Sequence, residues 1–288
     1  ETFRYWPREE VLADVTWVVR TFRPHVVISV FSGTARDGHG HHQVAGILAY
    51  DVFHAAGDPS RFPEQLAAGA TTWQPAKLYR LTRRNPGEGT TSIDTGVLDP
   101  LLGRSYFQIA MDSRSQHRSQ DMGMPQPLGP RRSTVALVES RVSFQGRDEI
   151  FTGVDTALVK LAEELPAPVR RGVTRHLQDY RDALAGARSS LRVADPWGAA
   201  SHLGRGLLSL RAALEEAQEV PAQGGGTGRG NDLIFTLRNR IPLVQAALLR
   251  SAGVVAEVTV DREHLIPGET VGGVVELWNG GPHTLEDF

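Results

Sequence analysis

Three of the ten histidines stand within four residues of one another, in Asp37-Gly38-His39-Gly40-His41-His42-Gln43. A neutral imidazole is the commonest nitrogen ligand for zinc. His39 and His42 are three positions apart, where a loop runs into the first turn of a helix, so both can face one cleft. The glycines beside His39 let the backbone bend sharply and come close to a ligand. The chain has no cysteine, so a metal here is held by His, Asp or Glu alone. The spacing leaves a second reading open: a polar loop whose histidines cap a helix and face water.

The flanking elements decide where such a loop sits. Pro7-Arg8-Glu9-Glu10 suits a helix start, with proline in the first turn and acids at the positive end. Val11, Leu12, Val15, Val18, Val19 and Phe22 follow at helical spacing, and Pro24 ends the run. Residues 25–31 form an almost continuous β-branched stretch, the pattern of a strand buried on both faces of a parallel sheet. Val44, Ile47, Leu48 and Val52 predict a helix over 42–56. Helix, strand, loop, helix reads as an α/β unit, and open α/β sheets carry their sites at the carboxyl ends of strands. The histidine loop falls at that point.

Further strands are predicted over 76–81 and 134–139, with a short extended piece at 93–96. Residues 58–74 read as an irregular connection, 85–89 as a glycine-rich turn, 103–120 as a helix and 121–132 as a loop or lid. Asp94 and Asp99 flank a loop near the same sheet edge, where they could contact a ligand's hydroxyls or simply form turns. The fold class expected is α/β, a Rossmann-like parallel-sheet domain over 1–150. A helical region follows over 151–251, with a glycine-rich linker near 223–230. Two valine-rich runs around Pro267-Gly268 read as a hairpin opening a β-sandwich over 252–288.

Composition narrows the function. The 288 residues are 40% hydrophobic and 22% charged, with a formal net charge of −2. That supports a substantial core and argues against a broad attraction to nucleic acid or anionic membrane. No apolar run approaches the roughly 20 residues of a membrane span. The chain opens at Glu1 without a methionine and ends just after an apparent strand, so both ends read as cut from a longer protein. The compartment stays open.

One family combines these features. Arg23-Pro24-His25-Val26-Val27-Ile28-Ser29, followed by Asp37-Gly38-His39-Gly40-His41-His42-Gln43-Val44-Ala45-Gly46, resembles the second motif of LmbE/PIG-L deacetylases: a strand, Gly-His-x-x-His, then a helix. Ser115-Gln116-His117-Arg118-Ser119-Gln120 is similar to the family's later His-x-Ser-Gln motif. The resemblance covers roughly the first 140 residues. Two other histidine patterns do not fit. The metallo-β-lactamase pattern needs an aspartate that this loop lacks, and Arg36-Asp37-Gly38-His39 is not the Arg-His-Gly of histidine phosphatases.

The resemblance implies a zinc-dependent hydrolase that removes an acetyl group from an N-acetylated sugar or glycoconjugate. It implies His42 as a zinc ligand and His39 as the group that stabilises, or donates a proton to, the tetrahedral intermediate. His41 stands where many members carry aspartate. With Asp37 and His117, it is assigned to the substrate side of the site. The family's first motif, Ala-His-Pro-Asp-Asp-Glu, supplies the remaining ligands and the general base, and it occurs nowhere in this chain. The expectation is that it lies upstream and that this piece alone is inactive. The competing function is a non-catalytic carbohydrate-binding or assembly protein, and iron or another divalent metal is an alternative to zinc.

Overall fold

The computed structural model describes residues 2–82, 86–100, 102–120, 123, 126–163, 165–220 and 229–286. The expected glycine-rich linker lies almost entirely outside these, as do parts of the 85–89 turn and of the 121–132 loop. The chain divides into two compact units, Glu1–Asp155 and Thr156–Phe288.

In the first unit, Pro7 precedes α1 (Arg8–Phe22), and Arg23 closes the helix in the left-handed region ahead of Pro24. The buried face of α1 is Leu12, Thr16, Val19 and Arg20. The valine stripe read from the sequence is therefore rotated: Val18 and Phe22 stand in solvent. The rotation follows from Arg20, a cation that the chain buries because a loop of backbone carbonyls closes around it. Its guanidinium donates to the carbonyls of Ala55, Ala56, Asp58, Arg61 and Phe62 and to Gln65 Oε1.

β1 (Val26–Ser29) follows, then α2 (Gly40–Ala55) and a short α3 (Pro63–Ala67) within the connection expected to be irregular. α1 and α2 share a core of Leu12, Val19, Val44, Leu48 and Val52. β2 (Lys77–Leu81), β3 (Thr91–Asp94), the two-residue strands β4 (Leu98–Asp99) and β5 (Arg104–Ser105), α4 (Tyr106–Ser115) and β6 (Arg132–Ser140) complete the unit. The expected helix over 103–120 shortens to α4 because Ser105 caps it: its Oγ accepts from Gln108 N–H while the Gln108 amide oxygen accepts from Ser105 N–H.

The main sheet runs β1-β2-β6-β3. Only β1 and β2 are parallel; β6 is antiparallel to both of its neighbours. The unit is thus mixed α/β rather than a parallel sheet. β1 is also an edge strand, and Ile28 on one of its faces is 41% exposed where burial on both faces was expected. Asp94 and Asp99 accept N–H bonds within their own turns, from Gly96 and Leu102.

On one face of β2, Lys77 and Tyr79 are fully buried. The Lys77 ammonium donates to Asp148 Oδ1 (3.0 Å), to the Glu149 carbonyl (3.0 Å) and to the Tyr79 hydroxyl (3.2 Å), and it lies 4.2 Å over the Phe144 ring. Tyr79 and Thr90 complete the Asp148 carboxylate at 2.8 and 3.0 Å. Burial, together with the hydrogen bond and charge of Asp148, pushes the Tyr79 phenol above its usual range.

The second unit packs α5 (Ala167–Ser190), α6 (Ala200–Gln218) and α7 (Arg229–Ala252) around Val173, Leu177, Leu207, Leu210, Leu233 and Leu237. The three or four residues between partners on each helix keep them on one face. β7 (Val254–Val260) and β8 (Gly273–Asn279) then form an antiparallel ribbon, exposed on both faces apart from Val254. The register places Val258 opposite Val275 and Ala256 opposite Leu277 on one side, and Glu257 opposite Glu276 on the other. No described helix is long and apolar enough to cross a membrane.

Candidate functional site

The carboxyl end of β1 passes through Phe31 into a loop that Asp37 holds in shape. Its carboxylate accepts N–H bonds from Ser32 (3.0 Å), Gly33 (2.7 Å) and Thr34 (3.2 Å), and the Ser32 hydroxyl at 3.1 Å. Burial raises the Asp37 carboxyl, but these bonds outweigh it and hold the group below the ordinary carboxylate range. Asp37 borders the cleft assigned to substrate, yet its oxygens serve the loop. The loop in turn lies directly on α2: a Cβ on Gly46 would sit 2.1 Å from the nitrogen of Gly33, which itself has φ +79°.

The low carboxyl pKa makes a measurable prediction. A group depressed on folding contributes stability that is fully present above its unfolded pKa, near 4, and is lost as pH falls through the lower folded value. Asp37→Ala is therefore expected to cost about 1–3 kcal/mol at neutral pH, and progressively less as pH drops below about 4. Urea titrations across that range test it. A stability gap that stays constant down to strong acid would overturn the assignment.

His42 occupies the first turn of α2 and is partly buried. Its ring stacks on Phe31 with centroids 4.1 Å apart and planes 10° apart. Its Nδ1 lies 3.4 Å from the Asp37 carbonyl, a long contact that assigns the proton to Nδ1 and leaves the lone pair on Nε2. An imidazole oriented by a backbone carbonyl through one nitrogen and open at the other is the arrangement of metal-ligating histidines.

His39 is the N-cap of α2, so the helix begins earlier than the 42–56 expected. Its Nδ1 accepts from His41 N–H (3.3 Å) and lies 3.0 Å from His41 Nδ1. The bond from the His41 N–H needs the Nδ1 lone pair, which in the neutral ring places the His39 proton on Nε2. The three rings form a cluster, with centroids 4.7 Å (His39–His41) and 5.1 Å (His39–His42) apart, and the far side of His41 meets Trp6 at 4.7 Å.

His42 and Asp37 line a cleft of about 290 Å3 at this end of the sheet, with Phe31, Arg36, Arg80 and Glu88. Arg80 and Glu88 are paired at 3.2 Å. His39 and His41 are exposed beside the cleft rather than lining it. His117 is also exposed and absent from the lining; its Nδ1 is 3.2 Å from the Arg114 carbonyl at the end of α4. Sequence reasoning thus located the loop but missed Phe31, Arg36, Arg80, Glu88 and Trp6. Arg80 had a usable signal, since it lies near the carboxyl end of β2, the strand parallel to β1, and so falls at the same end of the sheet.

Among the described residues, no three or more His, Asp or Glu side chains are gathered as ligands for one ion. His42 by its chemistry fits a zinc shell, but these residues together supply only part of one. No protein-family model, curated protein or solved structure matches this chain.

Proposed function

We propose that this chain belongs to a zinc-dependent hydrolase that removes an acetyl group from an N-acetylated sugar or glycoconjugate. The observation that carries the reading is His42, held between Phe31 and the Asp37 carbonyl with Nε2 unpartnered among the described residues, at the edge of a cleft beyond a strand's carboxyl end. The motif resemblance supplies the substrate class. His42 is one donor, and the reading requires further ligands from an Ala-His-Pro-Asp-Asp-Glu segment of the whole protein. Zinc, when bound, supplies an acidified water and polarises the acetyl carbonyl.

The chain's own residues contribute orientation and a hydrogen-bond donor. His39 presents Nε2–H outward because its Nδ1 is engaged by His41. That donor stabilises negative charge developing on the acetyl oxygen. The Phe31 ring and the loop held by Asp37 keep His42 from rotating.

The test uses the full-length protein, with metal analysis and a deacetylase assay on N-acetylglucosamine conjugates. His42→Ala is expected to lose both metal and turnover. His39→Ala is expected to keep the metal and to slow turnover by about 10²–10³-fold, the usual loss for one such donor. Retained zinc with full rate in both variants would refute the reading.

A further inference from the structure

The segment before α1 is built onto the histidine cluster. Tyr5 N–H and Trp6 N–H both donate to the Thr2 carbonyl at 3.0 Å, making a tight turn. Phe3 packs against the core shared by α1 and α2. Gly40, at the start of α2, has no Cβ where the Thr2 hydroxyl sits; one built there would lie 2.4 Å from Thr2 Oγ1. These contacts hold Trp6 against His41, yet the indole stays 46% exposed and the adjoining Tyr5 79% exposed. The indole N–H has no acceptor among the described residues. From Trp6 the rings run without a break through His41, His39 and His42 to Phe31 in the cleft.

We propose that Trp6 is a sugar-stacking platform beside the cleft, taking a pyranose that neighbours the N-acetylated residue, so that the ligand is an oligosaccharide or glycoconjugate rather than a free monosaccharide. Two physical facts argue for it. The cleft, about 290 Å3, is at the small end for ligand pockets and has room for about one sugar residue. A second residue of a longer ligand would rest outside it, on the side where the run of rings from His42 through His39 and His41 ends at the exposed indole. Secondly, a large apolar ring left half in water, with an unused N–H at its edge, matches a pyranose. The ring's C–H face stacks on the indole while its hydroxyls reach the indole N–H or stay in water.

The inference rests on the sugar reading of the site, and the experiment separates the two. Affinities of full-length protein for N-acetylglucosamine and for its β-linked disaccharide are measured by calorimetry, for the wild type, Trp6→Ala and Trp6→Phe. The wild type is expected to prefer the disaccharide. Trp6→Ala should weaken disaccharide binding about tenfold while leaving the monosaccharide unchanged, and Trp6→Phe should restore part of the loss. An unaltered disaccharide-to-monosaccharide ratio in a folded Trp6→Ala protein overturns the platform and leaves the sugar reading standing. A wild type that binds neither sugar overturns both. Trp6-dependent binding in a protein that deacetylates nothing supports the platform and removes only the hydrolase.

Discussion

Arg20→Ala is expected to unfold the first unit or bring it to the edge of unfolding, with a loss on the order of 4–5 kcal/mol. The side chain is 1% exposed and makes six hydrogen bonds, five of them to carbonyls of residues 55–62. Truncation removes six charge-assisted hydrogen bonds: the carbonyls of Ala55, Ala56, Asp58 and Phe62 keep backbone N–H donors from Asp58, Trp73, Arg61 and Gln65, but the Arg61 carbonyl and Gln65 Oε1 lose theirs, and a buried acceptor without a donor is destabilising by about 1–3 kcal/mol. A domain is stable by only about 5–15 kcal/mol, so this one change removes a large share. Arg20→Lys should recover little, because one ammonium cannot reach acceptors spread around a planar fork. Hydrogen exchange of the amides of residues 55–67 reads the effect locally, and thermal unfolding of the whole chain reads it globally. A melting temperature within a degree or two of wild type would show that these contacts are not what holds the loop.

The second large effect concerns Lys77. Lys77→Ala leaves the Asp148 carboxylate, 10% exposed, without its counter-charge. Breaking one side of a buried pair is destabilising by about 3–5 kcal/mol, because the remaining ion stays desolvated. The Tyr79 and Thr90 hydroxyls still reach Asp148, which places the expectation near the lower figure. Replacing both partners, as Lys77→Met with Asp148→Leu, should be far milder than either single change, since no ion is then left inside. A double-mutant cycle by chemical denaturation measures the coupling. Additive single losses would mean that the pair is not coupled and that the segment carrying Phe144 and Asp148 is held by packing alone.

Both residues show where the sequence was hard to read. Arg20 and Lys77 are charged and sit where a periodicity argument treats charge as a mark of solvent. Counting Arg20 as exposed swung the buried stripe of α1 toward Val18 and Phe22, which lie in water. Nothing local to Arg20 signals the carbonyls around it, because they come from residues 35–42 positions away. The β-branched run 25–31 did mark a strand, but composition could not report that its partner stands on one side only. Strand direction was equally hidden: β6 enters between β2 and β3 antiparallel to each, a long-range choice that leaves no trace in spacing.

The histidine loop was legible because its cues are local: glycines, clustered imidazoles and an apolar helix immediately after. Even there the fine geometry was not. That His42 turns into the cleft while His39 caps the helix depends on Phe31 and on the Asp37 carbonyl, neither of which spacing alone singles out.

The Gly33–Gly46 contact reaches past stability. With backbone pressed on backbone, no side chain fits between loop and helix, so a replacement at either glycine would push the imidazole's support out of place. The outer margin, where Trp6 stays half in water, is not pinned in this way. Descendants of this fold would diversify first at that margin, while the pair of glycines stays fixed.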